Sequence, residues 1–188
     1  NVAKLQVSTS WEICAVPYLP AMDLVAEHAF NLSTAAVDSV MLSWSLGGYP
    51  SPNLQLFNEF RRDEKNISGL LDRFAVKLYG DGAREAVRRA WSAYSAGFRE
   101  YPIEWQTVYY SPVQMGPANP LYPQKTGYQA TMVNTPYDDL ERWTAGYAKD
   151  RAAWVSQMHK VAKGFAEGDR LWQDVIAKTA GAPRREAE

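Results

Sequence analysis

Residues 39–53 read SVMLSWSLGGYPSPN, and they contain the clearest indications of how this chain folds. Positions 37–44 have the apolar content of a buried strand, which runs out into a loop carrying Trp44 and Tyr49. Gly47 and Gly48 lie between these aromatic residues, and glycine lets a backbone approach another backbone or a ligand closely. Because loops at strand ends build the binding sites of α/β proteins, the stretch predicts a strand followed by a binding loop.

The residues before this stretch predict one more strand and a helix. Ala3, Leu5 and Val7 alternate with polar residues over positions 3–9, which is typical of a half-buried strand. A helix is expected after the two prolines at positions 17 and 20, with an apolar face made of Leu24, Val25, His28, Ala29 and Leu32. Strand, helix and strand in this order match a right-handed crossover unit, so the two strands are predicted to be parallel.

Helices are predicted from residue 51 to about residue 100. Ser51 and Pro52 have the residue types of an N-cap and a first helical position, and they start a short helix through Phe60. Ser68 is predicted to cap a second helix, which ends at Gly80 and buries Leu70, Leu71, Phe74, Ala75, Leu78 and Tyr79. A third helix starts at position 81, with one face formed by Ala86, Val87, Ala90, Trp91, Tyr94 and Phe98.

Residues 101–136 differ from these helical segments. A strand is predicted over positions 105–110 and a long ordered loop, rich in proline, glycine and tyrosine, follows it. Helix returns at position 135, and a long helix is expected from Asp150 to Lys178 with interruptions at Gly164 and Gly168. Trp91, Trp154 and Trp172 fall on helical stripes, so they are predicted to be core or helix-packing residues.

The fold class that these patterns predict is α/β turning to mainly α. Residues 1–66 are expected to form a βαβ segment, and residues 67–188 a mainly helical region that contains the loop at 101–136. Two or three strands are too few for a covered parallel sheet. The chain is therefore expected to be either a small α-rich fold or a piece of a larger barrel.

Composition excludes several classes of function. The net charge is −1 over 188 residues, whereas a nucleic-acid-binding protein needs a basic stripe to displace counterions. No apolar run reaches membrane-spanning length, so a soluble protein with no membrane partner is predicted. A basic and apolar leader is lacking at the amino end, so any signal peptide would lie outside this sequence.

Cofactor and metal motifs are also lacking in the sequence. The single cysteine, Cys14, excludes an internal disulfide and a cysteine-rich metal site, and it is predicted to be structural. Gly47 and Gly48 lack the lysine of a phosphate-binding loop, and neither a dinucleotide fingerprint nor Gly-x-Ser-x-Gly occurs. No cofactor and no metal are therefore expected.

The chain has seven tryptophans and eleven tyrosines, and many of them follow predicted strands. Aromatic faces at strand ends are typical of sites for ring-shaped ligands, and sugars are the first hypothesis because their C–H faces pack on aromatic rings. The predicted stacking residues are Trp44, Tyr49, Tyr109, Tyr110 and Tyr137, and Trp11 is also predicted to bind the substrate. Asn53, Gln114 and Asn119 are predicted to bind hydroxyl groups. The alternative for Trp44 is that it closes the core above its strand.

Glu12 is the predicted catalytic residue. It follows the first strand, lies beside Trp11 and precedes the apolar residues 13–16. A carboxylic acid beside an indole in a poorly hydrated site has a raised pKa and can act as a general acid. The alternative is that Glu12 binds a neighbouring backbone group or an arginine.

Asp138 and Asp139 form an adjacent pair of carboxylates. One of them is a candidate for hydrogen bonding to a sugar. The stronger alternative is helix capping, because a threonine, a proline and an acid at positions 135, 136 and 138 fit a helix start. A metal site is not predicted for this pair, since no histidine is near it in the sequence.

Five segments resemble one family in the same order along the chain. They are STSWE (8–12), LSWSLGGYPSPN (42–53), GPANPL (116–121), TGYQATMV (126–133) and PYDDL (136–140). Together they resemble the late part of a group of poorly characterised bacterial proteins related to glycoside hydrolases with a (β/α)-barrel catalytic domain. The resemblance covers roughly residues 4–165.

This resemblance implies a partial (β/α)-barrel-like unit over residues 4–60, followed by the helical region that succeeds the barrel. It also implies hydrolysis or binding of a glycoside, with Glu12 as acid/base and the aromatic loops as subsites. A glycosidase usually needs two carboxylates, and the second is expected on earlier barrel strands that this sequence does not contain.

Two alternatives remain beside an active glycosidase. One is a non-catalytic carbohydrate-binding or assembly module, and the other is an inactive fragment of a larger barrel enzyme. The expected partners are a carbohydrate and either a second copy of the chain or a further segment that completes the sheet.

Overall fold

A computed structural model describes residues 1–5, 7, 18–35, 37–42, 51–60, 64–103 and 151–180. Within these ranges the chain is mainly helical and contains a two-stranded sheet. The elements in chain order are β1 (Val2–Leu5), α1 (Met22–Thr34), β2 (Ser39–Leu42), α2 (Pro52–Glu59), α3 (Ile67–Tyr79), a short 3-10 turn (Asp81–Ala83), α4 (Arg84–Arg99) and α5 (Arg151–Thr179). This order confirms the prediction of an α/β start that turns to mainly α.

The sheet pairs β1 with β2 in parallel, from Val2 opposite Ser39 to Leu5 opposite Leu42. This confirms the parallel strands predicted from the crossover spacing. Leu5 is buried, and Leu42 packs against the same core. By contrast, the side chains of β2 at positions 40 and 41 are 41% and 58% exposed.

The strand predicted over positions 37–44 is thus present at residues 39–42, but the prediction that it is buried is wrong. A parallel strand is buried throughout only when further strands flank it and helices cover both faces of the sheet. In the described part of the chain, β2 has a hydrogen-bonded neighbour on one side only.

Helix α1 buries a narrower stripe than its sequence predicts. The buried residues are Met22, Val25, Ala26 and Ala29, which lie on one side of a helix with 3.6 residues per turn. His28 is exposed, so the prediction that it belongs to the apolar face is wrong. Its neighbours Val25 and Ala29 already fill the centre of the stripe, and the imidazole lies at the edge that faces water.

The start of α2 is as predicted. The Ser51 side chain accepts a hydrogen bond from the Leu54 backbone N–H at 3.3 Å, and Pro52 is the first helical residue. Proline fits this position because its missing N–H would have had no partner within the helix.

Helix α3 begins two residues earlier than predicted. The Asn66 Oδ1 atom accepts a hydrogen bond from the Gly69 N–H at 2.9 Å, so Asn66 is the N-cap and the prediction of Ser68 is wrong. Both residue types cap helices well, but Ile67 is already helical and leaves Ser68 within the first turn. The end at Gly80 is confirmed, with a φ of 83° that favours glycine.

One apolar core joins the sheet to the helices. It contains Leu5 of β1, Met22 of α1, Leu56 of α2, Phe74 of α3 and residues of α4 and α5, among them Trp91 and Val175. The core thus contains residues of both predicted regions, 1–66 and 67–188. The buried faces predicted for α3 and α4 are confirmed, with Leu78 and Tyr79 only partly buried.

Helices α4 and α5 pack against each other at glycines. A Cβ atom built on Gly97 would lie 2.9 Å from the Gly164 Cα atom, and one built on Gly168 would overlap the Tyr94 ring. Helix α5 runs unbroken from Arg151 to Thr179, so the predicted interruptions at Gly164 and Gly168 are wrong. Each glycine weakens a helix by about 1 kcal/mol, but a larger residue at these positions would prevent the close approach of α4.

Several predictions fall on residues outside the described ranges. These are the strand at 105–110, the loop that follows it, the helix start at 135 and the structural role of Cys14. Among the described residues, no helix is both long and apolar enough to cross a membrane.

Candidate functional site: an aromatic pocket

The amino ends of α1 and α2 meet near the carboxyl end of β1. The evidence is the Asn53 side chain, whose Nδ2 atom donates hydrogen bonds to the carbonyl oxygens of Val7 at 3.0 Å and Leu19 at 2.8 Å. Val7 lies just beyond β1, Leu19 lies just before α1, and Asn53 is the second residue of α2. One buried amide therefore joins the three segments.

A pocket of about 250 Å³ lies beside this junction. The described residues that line it come from the approach to α1, from α2 and from the three later helices: Tyr18, Pro20, Met22, Pro52, Tyr79, Trp91, Tyr94 and Trp172. Ligands of open α/β folds bind at the carboxyl ends of parallel strands. The pocket lies on the corresponding side, since Met22 and Pro52, the first residues of the helices that follow the two strands, belong to its lining.

A second cavity, of about 230 Å³, lies at the opposite end of β2. It is lined by residues of the carboxyl half of α1, by positions 37–40 and by Phe57 and Phe60. This is the amino end of the strand, where α/β folds rarely build their sites. The aromatic pocket is therefore the better candidate.

The aromatic rings of the first pocket stand at steep angles to one another. Tyr79 and Trp172 have ring centroids 5.4 Å apart and an interplanar angle of 89°, and Tyr79 and Trp91 are 6.3 Å apart at 69°. Phe74 lies behind Trp91 with centroids 5.9 Å apart. Edge-to-face pairs of this kind each add about 0.5–1.5 kcal/mol beyond burial, so the walls are held firmly.

Two tyrosine hydroxyl groups of the pocket are held neutral. Burial, with a smaller effect from nearby Tyr18, raises the pKa of Tyr79 to about 12. Burial also raises the pKa of Tyr94 far above its usual value, and the hydrogen bond from the Tyr94 hydroxyl to Asp169 Oδ1, at 2.7 Å, adds to this rise. At physiological pH both side chains are therefore phenols that can take part in hydrogen bonds.

Ionic side chains are attached to the elements that line the pocket, and the contacts of several of them are defined. Arg88 lies one turn before Trp91 on α4, and its guanidinium forms ion pairs with Asp23 at 2.9 Å and Asp72 at 3.1 Å. Asp169 adds a third carboxylate through its bond to Tyr94. The described lining residues themselves carry no charge.

Most residues predicted for the site lie outside the described ranges. These are Glu12 as the catalytic acid, and Trp11, Trp44, Tyr49, Tyr109, Tyr110, Asn119, Tyr137, Asp138 and Asp139 as binding residues. Asn53 is described. Its side chain has no exposed surface, its amide holds the backbone behind the pocket, and its Oδ1 atom has no hydrogen-bond partner among the described residues. A bond from Asn53 to a ligand stays a prediction.

Sequence reasoning missed the aromatic residues that the structure brings together. Trp91 and Trp172 were predicted to pack between helices, and they do so, with Trp91 only 1% exposed, but they also line the pocket. The sequence did contain an indication of this aromatic cluster. Tyr79 ends α3 beside Gly80, and Trp91 and Tyr94 lie one turn apart on the next helix.

The described residues include no group of three or more His, Cys, Asp or Glu side chains that could hold a metal ion. Comparison of the chain with protein-family models, with curated proteins and with solved structures found no match.

Proposed function

We propose that this chain binds a carbohydrate in the aromatic pocket. The observation that carries the proposal is the convergence of five tyrosine and tryptophan side chains at the end of the sheet where α/β folds bind ligands. Apolar ring walls with a few polar tips suit a sugar, whose C–H faces are apolar and whose hydroxyls need hydrogen-bond partners.

The predicted catalytic segment is connected to this pocket at both ends. Trp11 and Glu12 belong to the connection from Val7 to Tyr18; Asn53 bonds to the Val7 carbonyl, and Tyr18 lines the pocket. Trp44 and Tyr49 belong to the connection from β2 to Pro52, and Pro52 also lines the pocket. These attachments support the hypothesis that β1, α1 and β2 are a barrel-like unit of a glycoside hydrolase, with Glu12 as acid/base.

Binding is tested by titrating neutral methyl glycosides and short oligosaccharides into the protein by calorimetry. Trp172→Ala is expected to weaken binding about tenfold, which corresponds to about 1.4 kcal/mol of lost contact. Trp154→Ala is the matched control on the same helix, because Trp154 is buried outside the pocket. It should lower the unfolding temperature and leave the affinity unchanged. Equal affinities of Trp172→Ala and the unchanged protein would contradict the proposed site.

Catalysis is tested separately with aryl glycosides. If the chain is a glycosidase, Glu12→Gln should abolish turnover while circular dichroism shows an unchanged fold. Binding of sugar without turnover by the unchanged protein would favour the non-catalytic module or the inactive fragment over the enzyme.

The assembly module is favoured by one specific observation. The apolar side chains Val2, Val40 and Met41 of the small sheet are exposed, at 72%, 41% and 58%. Parallel sheets normally have both faces covered. If a second copy completes the sheet, light scattering should give the mass of a dimer, and Met41→Lys should return a monomer. A monomer at every concentration would remove self-assembly from the hypotheses.

A further inference from the structure

We infer that the aromatic pocket selects a sugar that carries a positively charged amino group. This inference rests on the proposed function, because it assumes that the pocket binds a carbohydrate. It adds the chemical class of that carbohydrate, which is an amino sugar with a free ammonium group.

The first argument is the arrangement of the rings. Tyr79 lies nearly perpendicular to Trp172, at 89°, and steeply inclined to Trp91, at 69°. Rings at these angles approach a bound sugar from several sides, so they can contact its C–H groups and also surround a compact group attached to it. An ammonium group is attracted to the face of each ring within about 6 Å, and tryptophan gives the strongest attraction.

The second argument is the state of the Tyr94 hydroxyl. Its proton is donated to Asp169 at 2.7 Å, so the remaining capacity of the phenol oxygen is to accept a hydrogen bond. An ammonium group has only donors and therefore complements this oxygen. A sugar hydroxyl could also donate to it, but without the gain that a charged donor brings.

The third argument is the balance of charge. Arg88 is engaged by two carboxylates, Asp23 and Asp72, and Asp169 is the carboxylate next to the Tyr94 wall. The described lining residues include no cation that would repel an ammonium group. Since the described lining residues offer no cation to pair with a sugar carboxylate, the same pocket should bind an acidic sugar less tightly.

The test compares three sugars of the same ring by calorimetry at mildly acidic pH: glucosamine, N-acetylglucosamine and methyl glucoside. Glucosamine should bind at least tenfold more tightly than the two neutral sugars, and high salt should reduce this advantage. Asp169→Asn should remove most of the preference while the affinity for N-acetylglucosamine stays the same. Glu167→Gln is the control, because Glu167 is an exposed acid on the same helix that pairs with Arg170.

Each outcome separates the inference from the proposed function. Equal affinity for glucosamine and methyl glucoside would overturn the inference and leave carbohydrate binding intact. No binding of any of the three sugars would overturn both. Binding of methylammonium as tight as that of glucosamine would also overturn both, because the sugar ring would then contribute nothing. Circular dichroism checks that Asp169→Asn keeps its fold. A second variant, Tyr94→Phe, keeps the ring and removes the hydroxyl, and it should lose the preference for glucosamine to the same extent.

Discussion

At the scale of single residues, Asn53 joins two separate segments of the backbone. Its side chain is fully buried and holds two backbone carbonyls that belong to separate segments, those of Val7 and Leu19. Buried carbonyls without a donor are costly, because they lose water and gain nothing in return. The wall of the pocket at residues 18–20 depends on this amide.

We predict that Asn53→Ala lowers the free energy of unfolding by about 2 kcal/mol, since it removes two buried hydrogen bonds that contribute about 1 kcal/mol each. Asn53→Asp should be as harmful, because a carboxylate cannot donate. Asn58→Ala is the matched control, because Asn58 is exposed on the same helix. It should change stability by less than about 0.5 kcal/mol. Urea unfolding measures all three, and a mild effect of Asn53→Ala would contradict the assigned role.

At the scale of elements, the contact of α4 with α5 shows how packing can outweigh helix propensity. Gly164 faces the backbone of Gly97, so the two helices approach as closely as their main chains allow. The sequence predicted breaks at Gly164 and Gly168, because glycine alone is a poor helix former. Glycine is favourable at position 164 because Gly97 lies against it. Gly97 is far away in the chain, and helix propensity takes no account of such a contact.

We predict that Gly164→Ala destabilises the protein by about 1–3 kcal/mol, although alanine raises helix propensity by about 1 kcal/mol. The added methyl group would overlap the Gly97 backbone, which cannot move aside as a flexible side chain does. Gly82→Ala is the control, because a methyl group built there meets no atom within 4 Å. Thermal unfolding compares them, and a stabilised Gly164→Ala would show that the helices are not in backbone contact.

At the scale of the whole molecule, stability should depend on pH through the buried phenols. The pKa of Tyr79 is raised from an ordinary value of 10.0 to about 12 by burial, and that of Tyr94 is also raised. The folded state therefore binds these protons more tightly than the unfolded state. The resulting stability is complete below about pH 10 and is lost as the pH rises towards 12.

We predict that the free energy of unfolding falls steeply from pH 10 to pH 12. Tyr79→Phe should flatten this fall, and Tyr79→Phe combined with Tyr94→Phe should flatten it further, because phenylalanine has no proton to lose. Guanidinium unfolding at several pH values measures the slope. A slope that stays unchanged in the double variant would show that the buried phenols do not cause the pH dependence.

Within the described residues, the sequence by itself determined the order of the elements and most of the buried faces of α3 and α4, because these depend on periodicity and on local residue types. Examples are the Ser51–Pro52 start of α2, the end of α3 at Gly80 and the buried side of α4 with Trp91 and Phe98. It also determined that the strands are parallel, since a helix connects them. The candidate site was predicted at the carboxyl ends of the strands, and Asn53 is the predicted binding residue that the structure describes.

Only the tertiary structure decided which aromatic residues share a pocket. Tyr18, Tyr79, Trp91 and Trp172 are far apart in the chain, and their meeting depends on how five segments pack around the junction at Asn53. It also decided that β2 is exposed and that α5 is unbroken at its glycines. The physical reason is the same in each case: burial and close approach are properties of pairs of distant segments, which local propensity and periodicity do not specify.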